Sequence, residues 1–169
     1  MKIIHVLYAL YIYAVFKIIL FKFGSIDTLF LWQQLKRSLA NPDMIIYRLQ
    51  QGNIIPFHEI SSTIHDVSNH GLFNLIGNIV IFMPLGIFLG LMARSNHISY
   101  LGVFLRSFSF SLCLESAQLL LAIGSFDVDD LLLNAGGGVL GFIGFRLYSS
   151  LIGNYIPLTE RGGMKTRYE

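Results

Sequence analysis

Apolar residues in this chain arrive in long blocks, separated by short polar turns and one longer polar stretch. The blocks at residues 3–21, 73–92, 98–123 and 131–152 each reach the roughly 20 predominantly apolar residues that cross about 30 Å of hydrocarbon. The pattern predicts an all-α integral membrane protein: a compact four-helix transmembrane bundle forming one domain over residues 1–169. A long outward-facing loop, 22–72, would join helices one and two, and a cytoplasmic tail would occupy 153–169. Within that loop, TLFLWQQLKRSL (Thr28–Leu39) sets apolar residues beside a basic edge, as in a short amphipathic helix on the bilayer surface. NIIPFHEI (Asn53–Ile60) is an apolar island that would dip into the interface or pack under the bundle. No internal repeat, low-complexity tract or linker divides the chain.

Composition sharpens the class. Hydrophobic residues make up 54% and charged residues 13%, with a mean hydropathy of +0.62, which is more apolar and less charged than an average soluble domain. A net charge of +2 without a basic cluster gives no reason to expect a nucleic-acid partner. The single Cys113 excludes an intrachain disulfide. The first block resembles a secretory signal, but it is long, and FKFGSIDT lacks an A-x-A-like cleavage site, so it reads as a retained anchor. Arg94 lies between helices two and three, Arg161, Lys165 and Arg167 lie in the tail, and the turn between helices three and four carries only acids. By the positive-inside rule both termini are then cytoplasmic in a multi-pass cell-membrane protein, with the loop and the DVDD turn outside. Lys17 and Lys22 against Lys2 point the other way, yet long loops translocate largely regardless of charge.

With that topology, polar residues from three helices share a level. Asn78 on helix two lies about 8 Å deep, and Asn134 on helix four about 6 Å. On helix three, Glu115 lies about 12 Å deep and Gln118 about 8 Å. The faces agree. Asp130, Asn134, Gly137 and Gly141 form one helical stripe; Ser107, Ser111, Glu115 and Gln118 form a second; Asn74 and Asn78 are four apart. Lipid cannot satisfy such stripes, so they face protein or a wet cavity. Glu115 must be paired, solvated or carried neutral, and Arg106, about 13 Å away along the axis, is out of reach.

Each feature also has a purely structural explanation. Asp127 can serve as a helix N-cap, with Asp129 and Asp130 in the dipole-favoured first turn. Gly86–Gly90 and Gly137–Gly141 both match G-x-x-x-G and suit close helix packing. Pro84 frees the Val80 carbonyl, which a neighbour must satisfy. Asn78, Gln118 and Asn134 can act as interhelical glue, whereas an intramembrane carboxylate such as Glu115 marks a functional site by default. A divalent cation held by Asp127, Asp129 and Asp130 with His58, His65 or His70 has suitable hard ligands but no supporting motif, so no cofactor is expected. No G-x-S-x-G or S-x-x-K offers a serine nucleophile.

NIIPF (Asn53–Phe57), NIVIFMPLG (Asn78–Gly86), ESAQ (Glu115–Gln118) and DVDDLLLNAGG (Asp127–Gly137) occur in that order. On these four pieces the chain resembles the VanZ-like family of bacterial membrane proteins, from Asn53 to the end of helix four. The resemblance implies a helical bundle in the cytoplasmic membrane, typically of Gram-positive bacteria, in a family whose namesake lowers sensitivity to the glycopeptide teicoplanin. It maps the family's recurrent positions onto Asn53, Pro56, Asn78, Pro84, Gly86, Glu115, Gln118, Asp127, Asp130, Asn134 and Gly137. One position departs: many members carry arginine where this chain has Gly124, and Arg48 or Arg37 would have to substitute.

The leading expectation is an envelope-modifying or antibiotic-protection protein. Asn53, Asn78, Glu115, Gln118, Asp127, Asp130 and Asn134 would form an outward polar pocket for an amphiphilic ligand, either a glycopeptide or a lipid-linked wall precursor. The rival is an enzyme acting on a lipid-linked substrate, with Glu115 as general acid or base and Asp127 and Asp130 steering it. A third reading is a structural scaffold.

Overall fold

The computed structural model describes residues 2–21, 24, 26–66, 69–93 and 98–155. They form seven helices: α1 (Lys2–Phe21), α2 (Thr28–Ala40), α3 (Pro42–Gln51), α4 (His58–Asp66), α5 (Asn69–Met92), α6 (Tyr100–Leu121) and α7 (Val128–Tyr155). The basic residues that set the expected orientation (Lys22, Arg94, Arg161, Lys165 and Arg167) lie outside the described residues, as does the His70 side chain.

The stretch expected as a loop, 22–72, is largely helical. Asp27 caps α2 by accepting the Phe30 N–H at 2.9 Å, and Pro42 restarts the chain at the beginning of α3. That position suits proline, because its missing N–H has no helical partner there. The amphipathic Thr28–Leu39 segment is thus realised as α2. Helices α2 and α3 pack on α6, and α4 packs on α5 and α7.

Backbone contact organises the long helices. A Cβ on Gly137 would overlap the Ile79 carbonyl oxygen, and one on Gly141 would overlap that of Met83. The numbers rise together, so α5 and α7 run parallel. Gly86 lies equally close to the Gly138 carbonyl, which makes both glycine motifs sites of helix contact, as the sequence predicts. Helix α6 runs back along α7: Ser107 meets Gly138 and Ser111 bonds Asn134, so one number rises as the other falls. Helix α1 closes the layer through Val15 and Leu20, which join Phe82, Leu85 and Leu114 in the core.

Pro84 lies inside α5, and the hydrogen bond seen near it goes to a different carbonyl from the Val80 one that the sequence singles out. Tyr11 donates its hydroxyl to the Ile81 carbonyl at 2.8 Å, in the turn that the proline disrupts. Among the described residues, three helical segments are long and apolar enough to cross a membrane: Lys2–Phe21, Gly71–Met92 and Val128–Leu151. Helix α6, which the sequence suggests as a further span, has the length but carries Arg106, Glu115, Gln118 and several serines. Its polar stripe is turned inward: Ser107, Ser111, Glu115 and Gln118 are all buried, while Leu101, Leu105 and Leu112 are exposed.

Gly141→Ala should therefore destabilise the protein by about 1–3 kcal/mol, the usual cost of overpacking. Gly144→Ala, where an added Cβ meets nothing within 4 Å, should be neutral or stabilise by about 0.5–1 kcal/mol. Thermal unfolding in detergent reads both, and equal effects would refute the close α5–α7 approach.

Candidate functional site

The site is built at the N-terminus of α7. Asp127 is its cap: its Oδ1 accepts the Asp129 N–H at 2.8 Å. The same oxygen accepts Nδ2 of Asn53 at 2.9 Å. Around that bond the two strands of chain pair for a single parallel bridge, with the Asn53 N–H donating to the Phe126 carbonyl and the Val128 N–H to that of Asn53. Gly52 allows this approach, since a Cβ there would overlap the Phe126 carbonyl. The NIIPF segment is thus a turn strapped to the start of α7, with Ile54, Ile55 and Phe57 exposed rather than packed beneath the bundle.

The three aspartates divide the work. Asp129, 1% exposed, reaches out of α7 and accepts the backbone N–H groups of Phe57 and of Ile60, the latter at 3.1 Å. These are orphan donors at the start of α4, so the helix is capped by a residue about 70 positions away in sequence. Phe57 lies in the left-handed region at φ 67°, a conformation that costs a bulky residue about 1–3 kcal/mol. Asp130 turns the other way and accepts amide donors from Asn78 and, at 3.5 Å, from Asn74.

Glu115 completes the arrangement from α6. Its Oε2 accepts the Asp127 N–H at 3.0 Å, so the carboxylate is paired with backbone rather than with a basic side chain. Gln118 donates to the Ile19 carbonyl at 3.0 Å and ties α6 to α1. Asn134 donates to Ser111 Oγ at 2.8 Å, while its Oδ1 has no partner among the described residues.

Asn78, Glu115, Gln118, Asp127, Asp130 and Asn134 all line one cavity of about 520 Å³. Asn53, the seventh residue expected there, is not in the wall but braces Asp127 from behind. Sequence reasoning missed Glu59, which adds a carboxylate from α4, and the apolar wall from α1 formed by Ile18 and Ile19. The clue to α4 was the absence of a capping side chain of its own at Phe57. Five carboxylates border the cavity (Glu59, Glu115, Asp127, Asp129 and Asp130), with no Lys, Arg or His among its described lining residues.

One expectation changes here. Arg48 and Arg37, suggested as substitutes for the arginine missing at Gly124, are not in the wall. Arg48 instead donates to Ser38 Oγ at 3.1 Å and to the Leu119 carbonyl at 3.5 Å, fastening α3 to α2 and α6. Gly124 does line the cavity, against the Gln118 side chain. No group of three His, Cys, Asp or Glu is placed to hold a metal ion among the described residues.

The VanZ/LLP1 family model matches residues 7–149, most of the chain. The chain belongs to the VanZ/LLP1 family. It is also 30% identical over 108 residues to Protein VanZ of Enterococcus faecium. That match covers 62% of this chain and 64% of the relative, so the chain spans just under two thirds of that protein's length. No solved structure matches it. In this VanZ-family chain, the four motif pieces noted in the sequence converge on one end of the molecule. NIIPF, ESAQ and DVDD meet through direct hydrogen bonds, and Asn78 joins them through Asp130.

Asp129→Ala would leave two backbone donors at α4 unpaired, at about 1–3 kcal/mol each. The expected result is a lower unfolding temperature and faster limited proteolysis within residues 54–66. Unchanged cleavage there would show that α4 holds itself.

Proposed function

We propose that this VanZ-family membrane protein acts in glycopeptide resistance or envelope modification by holding the polar part of an amphiphilic ligand in the cavity at the start of α7. One observation carries the reading: carboxylate and amide side chains from four helices border a cavity whose wall also includes Ile18, Ile19, Phe73 and Leu133. A site that is polar on one side and apolar on the other suits a molecule with a head and a tail. Helix α6 crosses the bilayer with α1, α5 and α7, its stripe of serines, Glu115 and Gln118 turned away from lipid. The spans then number four, both termini are cytoplasmic, and the cavity opens outward. Binding or occlusion of this kind needs no nucleophile.

An enzymatic role for the same site rests on Glu115. Its Oε2 is committed to the Asp127 N–H, and the residue lines the cavity, where its other oxygen would meet a substrate as general acid or base. Turnover of a labelled polyprenyl-linked precursor, abolished by Glu115→Gln, would replace the binding reading with that one.

The test is a set of single variants in a teicoplanin-sensitive Gram-positive host. Glu115→Gln, Asp130→Asn and Asn134→Ala should each weaken ligand binding by about 10- to 100-fold, the loss of one or two buried polar contacts. Drug tolerance conferred by the protein should fall in parallel at normal expression. If all three leave tolerance and binding unchanged, the cavity is not the site and a scaffold role takes its place.

A further inference from the structure

The short helices between α1 and α5 keep much of their apolar surface exposed. On α2, Leu31, Gln34, Leu35 and Ser38 form the covered face. Beside it runs an exposed stripe, Leu29, Trp32, Lys36 and Leu39, spaced three, four and three. Lys36 holds its ammonium 4.9 Å from the centre of the Trp32 ring. Exposed Ile46 and Tyr47 follow on α3, and exposed Ile54, Ile55 and Phe57 on the turn before α4.

Hydrogen bonds fix the depth of this surface. Gln118 donates to the carbonyl of Ile19, two residues and about 3 Å before the end of the apolar α1 segment. Arg48 of α3 donates to the carbonyl of Leu119, the next residue, and to Ser38 of α2. Helices α2 and α3 are thereby tied to the edge of the apolar layer. The turn is tied there independently: Val128, the first residue of the apolar α7 segment, donates its N–H to the Asn53 carbonyl at 2.9 Å. At that level acyl chains give way to headgroups, and tryptophan, tyrosine and a lysine that extends toward water are all favoured. Helices with leucine and tryptophan on one side, lysine or arginine on another and little overall hydrophobicity lie in this boundary and do not cross it.

We infer that α2, α3 and the Ile54–Phe57 turn form a collar seated in the phospholipid interface of the leaflet at which α7 begins. Leu29, Trp32, Leu39, Ile54 and Ile55 would rest among the upper acyl chains, with Lys36 at the phosphates. Lipid suits this surface better than a second copy of the chain, because separate elements present it and each is bonded to the same boundary. The inference stands apart from what the cavity binds, yet it bears on how the cavity is reached. Asn53 braces Asp127, and Asp129 holds the N–H groups of Phe57 and Ile60, so collar and cavity wall are one unit. The cavity then lies at headgroup depth, within reach of molecules dissolved in the membrane.

Trp32 is the chain's single tryptophan, so its emission reports the seat directly. The full chain is placed in phosphatidylcholine nanodiscs containing lipid brominated either near the headgroup or near the chain end. Bromine near the headgroup should quench more strongly, placing Trp32 about 5–10 Å below the headgroup boundary. Aqueous iodide should quench it several-fold less than it quenches free tryptophan. Ile55→Trp in a Trp32→Phe background moves the probe from α2 to the turn between two exposed positions, and should give the same pattern. Quenching of Trp32 by iodide and not by brominated lipid overturns the inference. Protection from both quenchers also overturns it, because protein would then cover the stripe. So does lipid quenching at Trp32 with iodide quenching at position 55, which would leave α2 alone at the surface. Stronger quenching from the chain end would put α2 inside the bilayer and overturn the interfacial seat as well.

Discussion

Two parallel helices can touch backbone to backbone where at least one of them lacks a side chain at the contact, and α5 and α7 do so through Gly86, Gly137 and Gly141. Much of the remaining arrangement follows from that contact. It fixes the register that brings Asn78 beside Asp130, one helical end away from the glycines. It also leaves α6 to return antiparallel on the other side of α7, with Ser107 against Gly138. Without close approach, the amide and the carboxylate would face each other across a gap that only water or lipid could fill. Lipid offers neither with a partner.

The acids at the start of α7 explain how so polar a segment is tolerated. Asp127 caps its own helix, Asp129 caps a different one, and Asp130 is bonded to amides. Glu115 binds the backbone of the same turn. Each carboxylate therefore has hydrogen-bond donors even though the lining residues described include no cation. The residues that hold the turn together, Glu115, Asp127, Asp129 and Asp130, also line the cavity. The structural and functional readings of this turn are not rivals for most of these residues.

Much of the site was legible in the sequence because its helices obey a simple period. The stripes Asp130–Asn134–Gly137–Gly141 and Ser107–Ser111–Glu115–Gln118 are local geometry, and each turns one face to its neighbour as spacing requires. Of the three helices in 22–72, α2 was legible as an amphipathic segment, whereas α3 and α4 were harder to see because they are short and only partly apolar, and they pack on α6 and on α5 and α7 respectively. Remote partners were invisible for a different reason. Nothing local connects Asp129 to Ile60, Tyr11 to Ile81 or Arg48 to Leu119, because each bond joins distant parts of the chain. Tyr11 illustrates the limit: its hydroxyl bonds the Ile81 carbonyl of a helix 70 positions away, and no local pattern in either segment names the other.

Phe57 gives the site a mechanical character. Its backbone sits in a region that bulky residues enter at a cost and leave when released. Its N–H, with that of Ile60, is held by Asp129, which otherwise belongs to a different helix. The start of α4, which carries Glu59, is therefore latched rather than simply folded: a loaded turn, restrained by one buried carboxylate, forms part of the cavity wall. Asp130, the next residue along, is the one that faces the cavity amides. The catch and the contact point are neighbours on a single helical turn, so the wall and the floor of the cavity share one rigid support.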